Sequence, residues 1–170
     1  MERAKWFSDL QKKKKINGII KSLKFIDDRL DSLSLGILRS EQVIFADIGE
    51  PQLIPLQVMG DGILRLLDIL LAINQANNGF VLIDEVENGL HYSIQESIWR
   101  VISEASVKNN TQVFATTHSL EFVVYAHEAL NNNSGDFMVH RIDRVNNNLR
   151  VTSFDRDMLG AAIENRFEIR

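Results

Sequence analysis

The 170-residue sequence has no cysteine, which rules out a disulfide framework and a thiolate metal site and suits a reducing cytosol. It has no apolar run of roughly 18 residues, the length that marks a membrane-spanning helix. The leading segment MERAKWFSDLQKKKK also lacks the apolar stretch of a secretory signal, so a soluble, cytoplasmic protein is expected. Only two prolines occur, Pro51 and Pro55, and both mark one loop. Among nine glycines, no two stand five apart ahead of a Lys and a Ser or Thr. The chain therefore contains no P-loop, whose backbone amides wrap a phosphate and whose lysine neutralises it.

What is present suits one domain with a buried core: 45% of residues are hydrophobic and 25% charged. A net charge of -4 gives no general reason to expect nucleic acid, yet the charge is unevenly placed. Residues 1 to 24 hold eight Lys or Arg, including Lys12, Lys13, Lys14 and Lys15, against Glu2 and Asp9. A solvated helix face is the ordinary reading of such a run, with Trp6 as a nearby aromatic able to stack on a base. Nucleic-acid contact stays open as the lesser alternative.

From Trp6 to about Leu38, the residues Ile16, Ile19, Ile20, Leu23, Ile26, Leu30 and Leu33 recur at three- and four-residue steps, which predicts an amphipathic helical arm. Its boundary is expected near Ser40. Gln42 to Ile48 reads as a strand, and Ile63 to Ala76 as a long buried helix closed by Asn77-Asn78-Gly79. Phe80 to Ile83 and Val113 to Ala115 are apolar without alternation, as in parallel sheets covered on both faces, with a helix from about Ile94 to Ala105 between them. Leu120 to Ala129 reads as a helix, and Phe137 to Val145 with Leu149 to Phe154 as a hairpin turned by Asn146-Asn147-Asn148. A last helix is expected from Arg156 to about Phe167, with Asp155 at its N-terminus. The expected class is α/β, a largely parallel sheet with flanking helices, a helical arm before it and a hairpin after it.

Three clusters carry chemistry. Asp84 and Glu85 end the first apolar strand, and phosphoryl transfer explains two adjacent carboxylates there: one to hold a hydrated Mg²⁺, the other to polarise the attacking water. Strands often end in acidic residues, so the pair alone is only moderately specific. His118 follows the second strand; a lone histidine at a strand end is ordinarily structural, but this one closes a strand parallel to that of Glu85. Gly60, Asp61 and Gly62 open the long helix, where free amides and the helix dipole attract an anion and glycines admit a phosphate closely.

Together these stretches resemble a known family. FVLIDEVENGLH (80–91) is similar to the Walker B and D-loop of ABC-type ATPases, QVFATTHSLE (112–121) to their switch-histidine segment, and MGDGI (59–63) to a variant LSGGQ signature. From Pro55 to Glu121 the chain is most similar to the AAA-like branch that includes the overcoming-lysogenization-defect (OLD) ATPases. The resemblance implies that residues 41–170 are the C-terminal portion of a P-loop NTPase-like domain, incomplete at its N-terminal side, with 1–40 as an arm or part of a helical subdomain. It implies ATP and Mg²⁺ as cofactors, Asp84 on the metal, Glu85 as base and His118 on the γ-phosphate. It further implies that Gly60, Asp61 and Gly62, with the D-loop residues Glu87, Asn88 and Gly89, engage nucleotide across a dimer interface. The P-loop would then come from another chain or from a missing segment, and a P-loop-bearing partner or self-association is expected. Two rivals stand beside this: a non-catalytic interaction module kept from a truncated ATPase, and a metal-dependent hydrolase using Asp84, Glu85 and His118 directly.

Overall fold

The lysine run ends the first helix. In the computed structural model, which describes residues 2–130 and 137–165, α1 (Glu2–Lys12) and α2 (Ile16–Leu23) are separate helices. The single helical arm read from Trp6 to Leu38 is therefore corrected. Lys14 adopts a left-handed φ of 56°, the chain turns back, and Phe7, Leu10, Ile19, Ile20 and Leu23 bury in one core. Beyond Leu30, Leu33 is buried, Leu35 half-buried and Ile37 exposed along an extended segment, and Ser32–Leu38 is strand β1. The steps that bring Leu30 and Leu33 onto a helix stripe also suit entry into a strand, so spacing alone did not decide.

Strand β1 pairs antiparallel with β2 (Glu41–Asp47) through a two-residue turn at Arg39 and Ser40, whose φ values of 49° and 69° match the twist of a tight hairpin. Gly36 is required there by space: a Cβ would lie 2.8 Å from the Phe45 ring. Strand β3 (Ile54–Pro55) completes this three-stranded antiparallel sheet.

The core is built around α3 (Asp61–Gln75), which buries Ile63, Leu66, Leu67, Ile69, Leu70, Leu71 and Ile73 against α1, α2 and α4 (Gln95–Asn109). Strand β4 (Phe80–Ile83) precedes α4, and β5 (Gln112–Ala115) follows it and pairs parallel with β4. Buried Thr111 fixes this return, its hydroxyl reaching the Ile73 and Ala76 carbonyls at 3.3 Å. After α5 (Leu120–Leu130) come the hairpin β6 (Val139–Val145) and β7 (Asn148–Phe154), turned by Asn146 and Asn147 in left-handed conformations, and α6 (Arg156–Glu164). Asp155 caps α6, its Oδ1 accepting the Met158 N–H at 2.8 Å. Arg166 and Phe167, the expected end of this helix, lie outside the described residues.

The expectation of one largely parallel sheet is likewise corrected. The fold is α/β, but among the described residues the strands form three small sheets, and only β4–β5 is parallel. Nor is that pair covered on both faces. Val81 and Ile83 are buried, whereas Phe80 is 63%, Leu82 72% and Phe114 49% exposed, leaving one apolar face in solvent.

Candidate functional site

Strands β4 and β5 run in register from Phe80 opposite Gln112 to Ile83 opposite Ala115, so the residues after them leave the sheet at one end. Asp84-Glu85 and Thr116-Thr117-His118 therefore meet, as the parallel arrangement requires. The ladder continues into the loops: the Thr116 N–H donates to the Ile83 carbonyl at 2.9 Å, and the Val86 N–H to the Thr116 carbonyl at 3.0 Å. The Thr116 hydroxyl donates to Asp84 Oδ1 at 2.5 Å and accepts the Glu85 N–H at 2.9 Å. Glu85 itself is left-handed, with φ at 45°, an unfavourable conformation for a side-chain-bearing residue other than Asn or Asp.

From α3, the Arg65 guanidinium reaches this same turn, Nη2 donating to the Asp84 carbonyl at 2.6 Å and the Glu85 carbonyl at 3.2 Å. Glu87 faces the other loop: its Oε1 accepts the His118 N–H at 2.8 Å. Burial opposes ionisation of Glu87, but the N–H groups of its own backbone and of His118, the Thr117 hydroxyl and the nearby His118 ring outweigh it and hold the carboxyl below its ordinary range. Next, Ser119 caps α5 through its hydroxyl, which accepts the Phe122 N–H at 3.1 Å.

The signature-like turn lies beside the loop after β4. Gly60 has φ at 109°, with open space where a Cβ would stand. A Cβ on Gly62 would come 3.3 Å from the Gly89 carbonyl oxygen, and one on Gly89 would come 3.6 Å from the Asp61 Cβ. Gly60, Asp61 and Gly62 thus pack against the turn of Asn88 and Gly89 within one chain. That turn is tied by the Asn88 N–H to the Glu85 carbonyl and the Leu90 N–H to the Glu87 carbonyl, each at 3.0 Å. Asp84, Glu85, Asn88, Gly89 and His118 are all exposed.

All the residues singled out from the sequence fall into this one neighbourhood, but Glu87 turns inward to the His118 backbone. Two contributors escaped the sequence reading, Arg65 and the hydroxyl of Thr116. The available signal was a lone guanidinium in an otherwise apolar stretch, ILRLL, and a hydroxyl two residues ahead of the histidine. Asp84 and the Thr116 hydroxyl offer adjacent hard oxygen donors of the kind Mg²⁺ takes. Among the described residues, no three His, Cys, Asp or Glu side chains are grouped as metal ligands, so the direct metal-hydrolase reading finds no donor set there. No helix among the described residues is long and apolar enough to cross a membrane.

Comparison with known proteins bears on the family and the fold. A family model described as "AAA domain, putative AbiEii toxin, Type IV TA system" matches residues 3–124. An ATP/GTP phosphatase of Helicobacter pylori is 36% identical over 106 residues, 61% of this chain and 28% of that protein. An uncharacterised protein of Methanocaldococcus jannaschii is 40% identical over 65 residues, 38% of this chain and 57% of that one. The matches thus span less than two thirds of either relative's length. Among solved structures, one described for ATP-driven dimerization and DNA-stimulated activation of SMC ATPases has a TM-score of 0.55 at 14% identity, covering 95% of this chain and 96% of its own. An SMC head bound to the C-winged helix domain of ScpA has a TM-score of 0.57 at 16% identity, covering 87% of this chain and 43% of its own. At those identities the likeness is one of fold.

Proposed function

This chain belongs to the AAA-domain family matched over residues 3–124, and from that premise we propose that it forms the hydrolytic half of an ABC-type ATP switch. The observation that carries the reading is the convergence of Asp84, Glu85 and the Thr116–His118 loop at one end of a parallel strand pair, with the turn of Gly60 to Gly62 alongside. Exposed Glu85 accepts a proton from the attacking water, a contribution of about 10²- to 10⁴-fold in rate for a general base. His118 contacts the γ-phosphate and keeps that water in line. Asp84 and Thr116 would hold Mg²⁺, which neutralises charge on the β- and γ-phosphates. Gly60, Asp61 and Gly62 offer amides to the triphosphate of an opposing subunit, with Asn88 and Gly89 at the same interface and Glu87 bracing it from within.

The nucleotide's main grip, the P-loop, comes in this reading from another chain or a further segment, so the described domain is the C-terminal half of an OLD-like ATPase with residues 41–170 as its body. The bare face of Phe80, Leu82 and Phe114 supports this, since parallel pairs are ordinarily buried on both sides. We place the assembled protein in the cytoplasm as a dimer; nucleic acid is a further candidate partner. The test is phosphate release and nucleotide affinity for the chain alone, for the chain with a P-loop-bearing partner, and for Glu85→Gln in that complex. Neither tight MgATP binding nor turnover is expected from the chain alone. The complex turns over, and Glu85→Gln keeps binding while slowing hydrolysis about 10²-fold or more. A complex that binds but never turns over favours the interaction-module reading; brisk turnover by the single chain overturns the missing-P-loop reading.

A further inference from the structure

Glu85 is held in a left-handed turn that its own side chain disfavours, so surrounding contacts must impose it. They come from two directions. From β5, Thr116 takes the Glu85 N–H on its hydroxyl and donates to Asp84 Oδ1. From α3, Arg65 Nη2 bridges the Asp84 and Glu85 carbonyls. Those carbonyls lie on either side of the Glu85 Cα, about which rotation of φ and ψ would swing the carboxylate away. Arg65 stands three residues after Gly62 on the same helix, so a single rigid element carries the signature-like turn at its start and the grip on Glu85 one turn later. The grip has a cost: among the described residues Arg65 Nε is buried without an acceptor, which an apolar side chain at this half-buried position would avoid.

We propose that Arg65 is a positioning residue that transmits the placement of the Gly60–Gly62 turn to Glu85, aiming the carboxylate only while α3 sits against the loop after β4. The inference rests on the reading of Glu85 as the base. Nucleotide engaging the glycine turn presses on the N-terminus of α3; the guanidinium, one turn along, carries that displacement to the two carbonyls. A charge-assisted, two-acceptor contact resists rotation where a neutral side chain would slide.

The experiment has two arms, with Arg65→Ala, Arg65→Lys and Glu85→Gln. In the full chain alone, residue-resolved amide exchange is expected to quicken about tenfold or more at Glu85 and Val86 in Arg65→Ala, and less in Arg65→Lys. Val101 and Ile102 in α4 stay at wild-type rates. In the complex with a P-loop-bearing partner, Arg65→Ala lowers kcat by up to about 10²-fold with KM within about twofold. It costs nothing further on top of Glu85→Gln, a coupling that a merely structural role would not produce. Unchanged exchange at Glu85 overturns the proposal. So does faster exchange throughout the chain in both Arg65 variants, or multiplicative losses in the double variant. A wild-type complex without turnover would sink the ATP-site reading, while the exchange arm still decides the grip of Arg65.

Discussion

Glu87 shows what a single carboxylate does here beyond carrying charge. Its Oε1 receives the His118 N–H, so the loop after β4 and the loop after β5 are joined by one side chain as well as by the strand ladder. Because its folded-state pKa is lowered from the ordinary 4.5, it stabilises the fold fully above that value, and the contribution is lost as pH falls through the folded-state value. Urea unfolding should therefore show wild type losing stability relative to Glu87→Gln between neutral pH and the acid side of 4.5. Glu87→Ala, which removes the acceptor altogether, is expected to cost roughly 1 kcal/mol at pH 7. An identical acid profile for wild type and Glu87→Gln would show that the carboxylate carries no such load. The sequence made Glu87 visible as a member of the loop, but not its direction, because which way a side chain points in an irregular turn depends on a partner 31 residues away.

At the scale of elements, α3 is the member whose loss the fold would feel most. It is buried on nearly every side, and each of the other core helices except α5 rests on it. Leu67→Ala and Leu70→Ala should each cost about 2–5 kcal/mol, whereas Asp155→Ala, which uncaps α6 at the far end, should cost about 0.5–2 kcal/mol. Thermal and urea melts of the three variants check that order; an uncapped α6 as costly as a hollowed α3 would contradict it. These elements were legible in the sequence for the same reason that they matter. An apolar stripe bounded by Gly62 and Gly79, and a hairpin turned at Asn146 and Asn147, are specified by neighbours a few residues away. The N-terminal arm was not. Its turn at Lys14 and its tight hairpin at Arg39 and Ser40 put into the left-handed region residues that do not favour it; the Lys15 N–H on the Leu10 carbonyl helps close the first, and the pairing of β1 with β2 holds the second. Covering of the sheet was misread because an unbroken apolar run records what a strand is suited to meet, not what is present to meet it.

For the whole molecule, that uncovered face becomes the clearest handle on assembly. Phe80 and Leu82 from β4 and Phe114 from β5 project on one side of a two-stranded sheet whose pairing leaves outer edges open. A patch of large side chains beside unsatisfied strand edges favours association. Both strands of this face lead into the loops of Asp84, Glu85 and His118, so the face borders the candidate site. If a strand and helix carrying the P-loop are what seat there, the isolated chain should self-associate through this face at micromolar concentration, and the P-loop-bearing partner should compete with that association. Leu82→Asn, which keeps the strand but makes the most exposed of the three side chains polar, removes roughly 1.5–3 kcal/mol of burial, about ten- to a hundredfold in affinity. Because Leu82 is already in solvent in the single chain, its melting temperature should hardly move. Sedimentation velocity of both forms, with and without partner, separates the outcomes: weaker association at an unchanged melting temperature supports the face as the docking surface. A monomeric wild type that also ignores the partner would mean that the exposed strands meet nothing, and the half-site reading would lose its structural support.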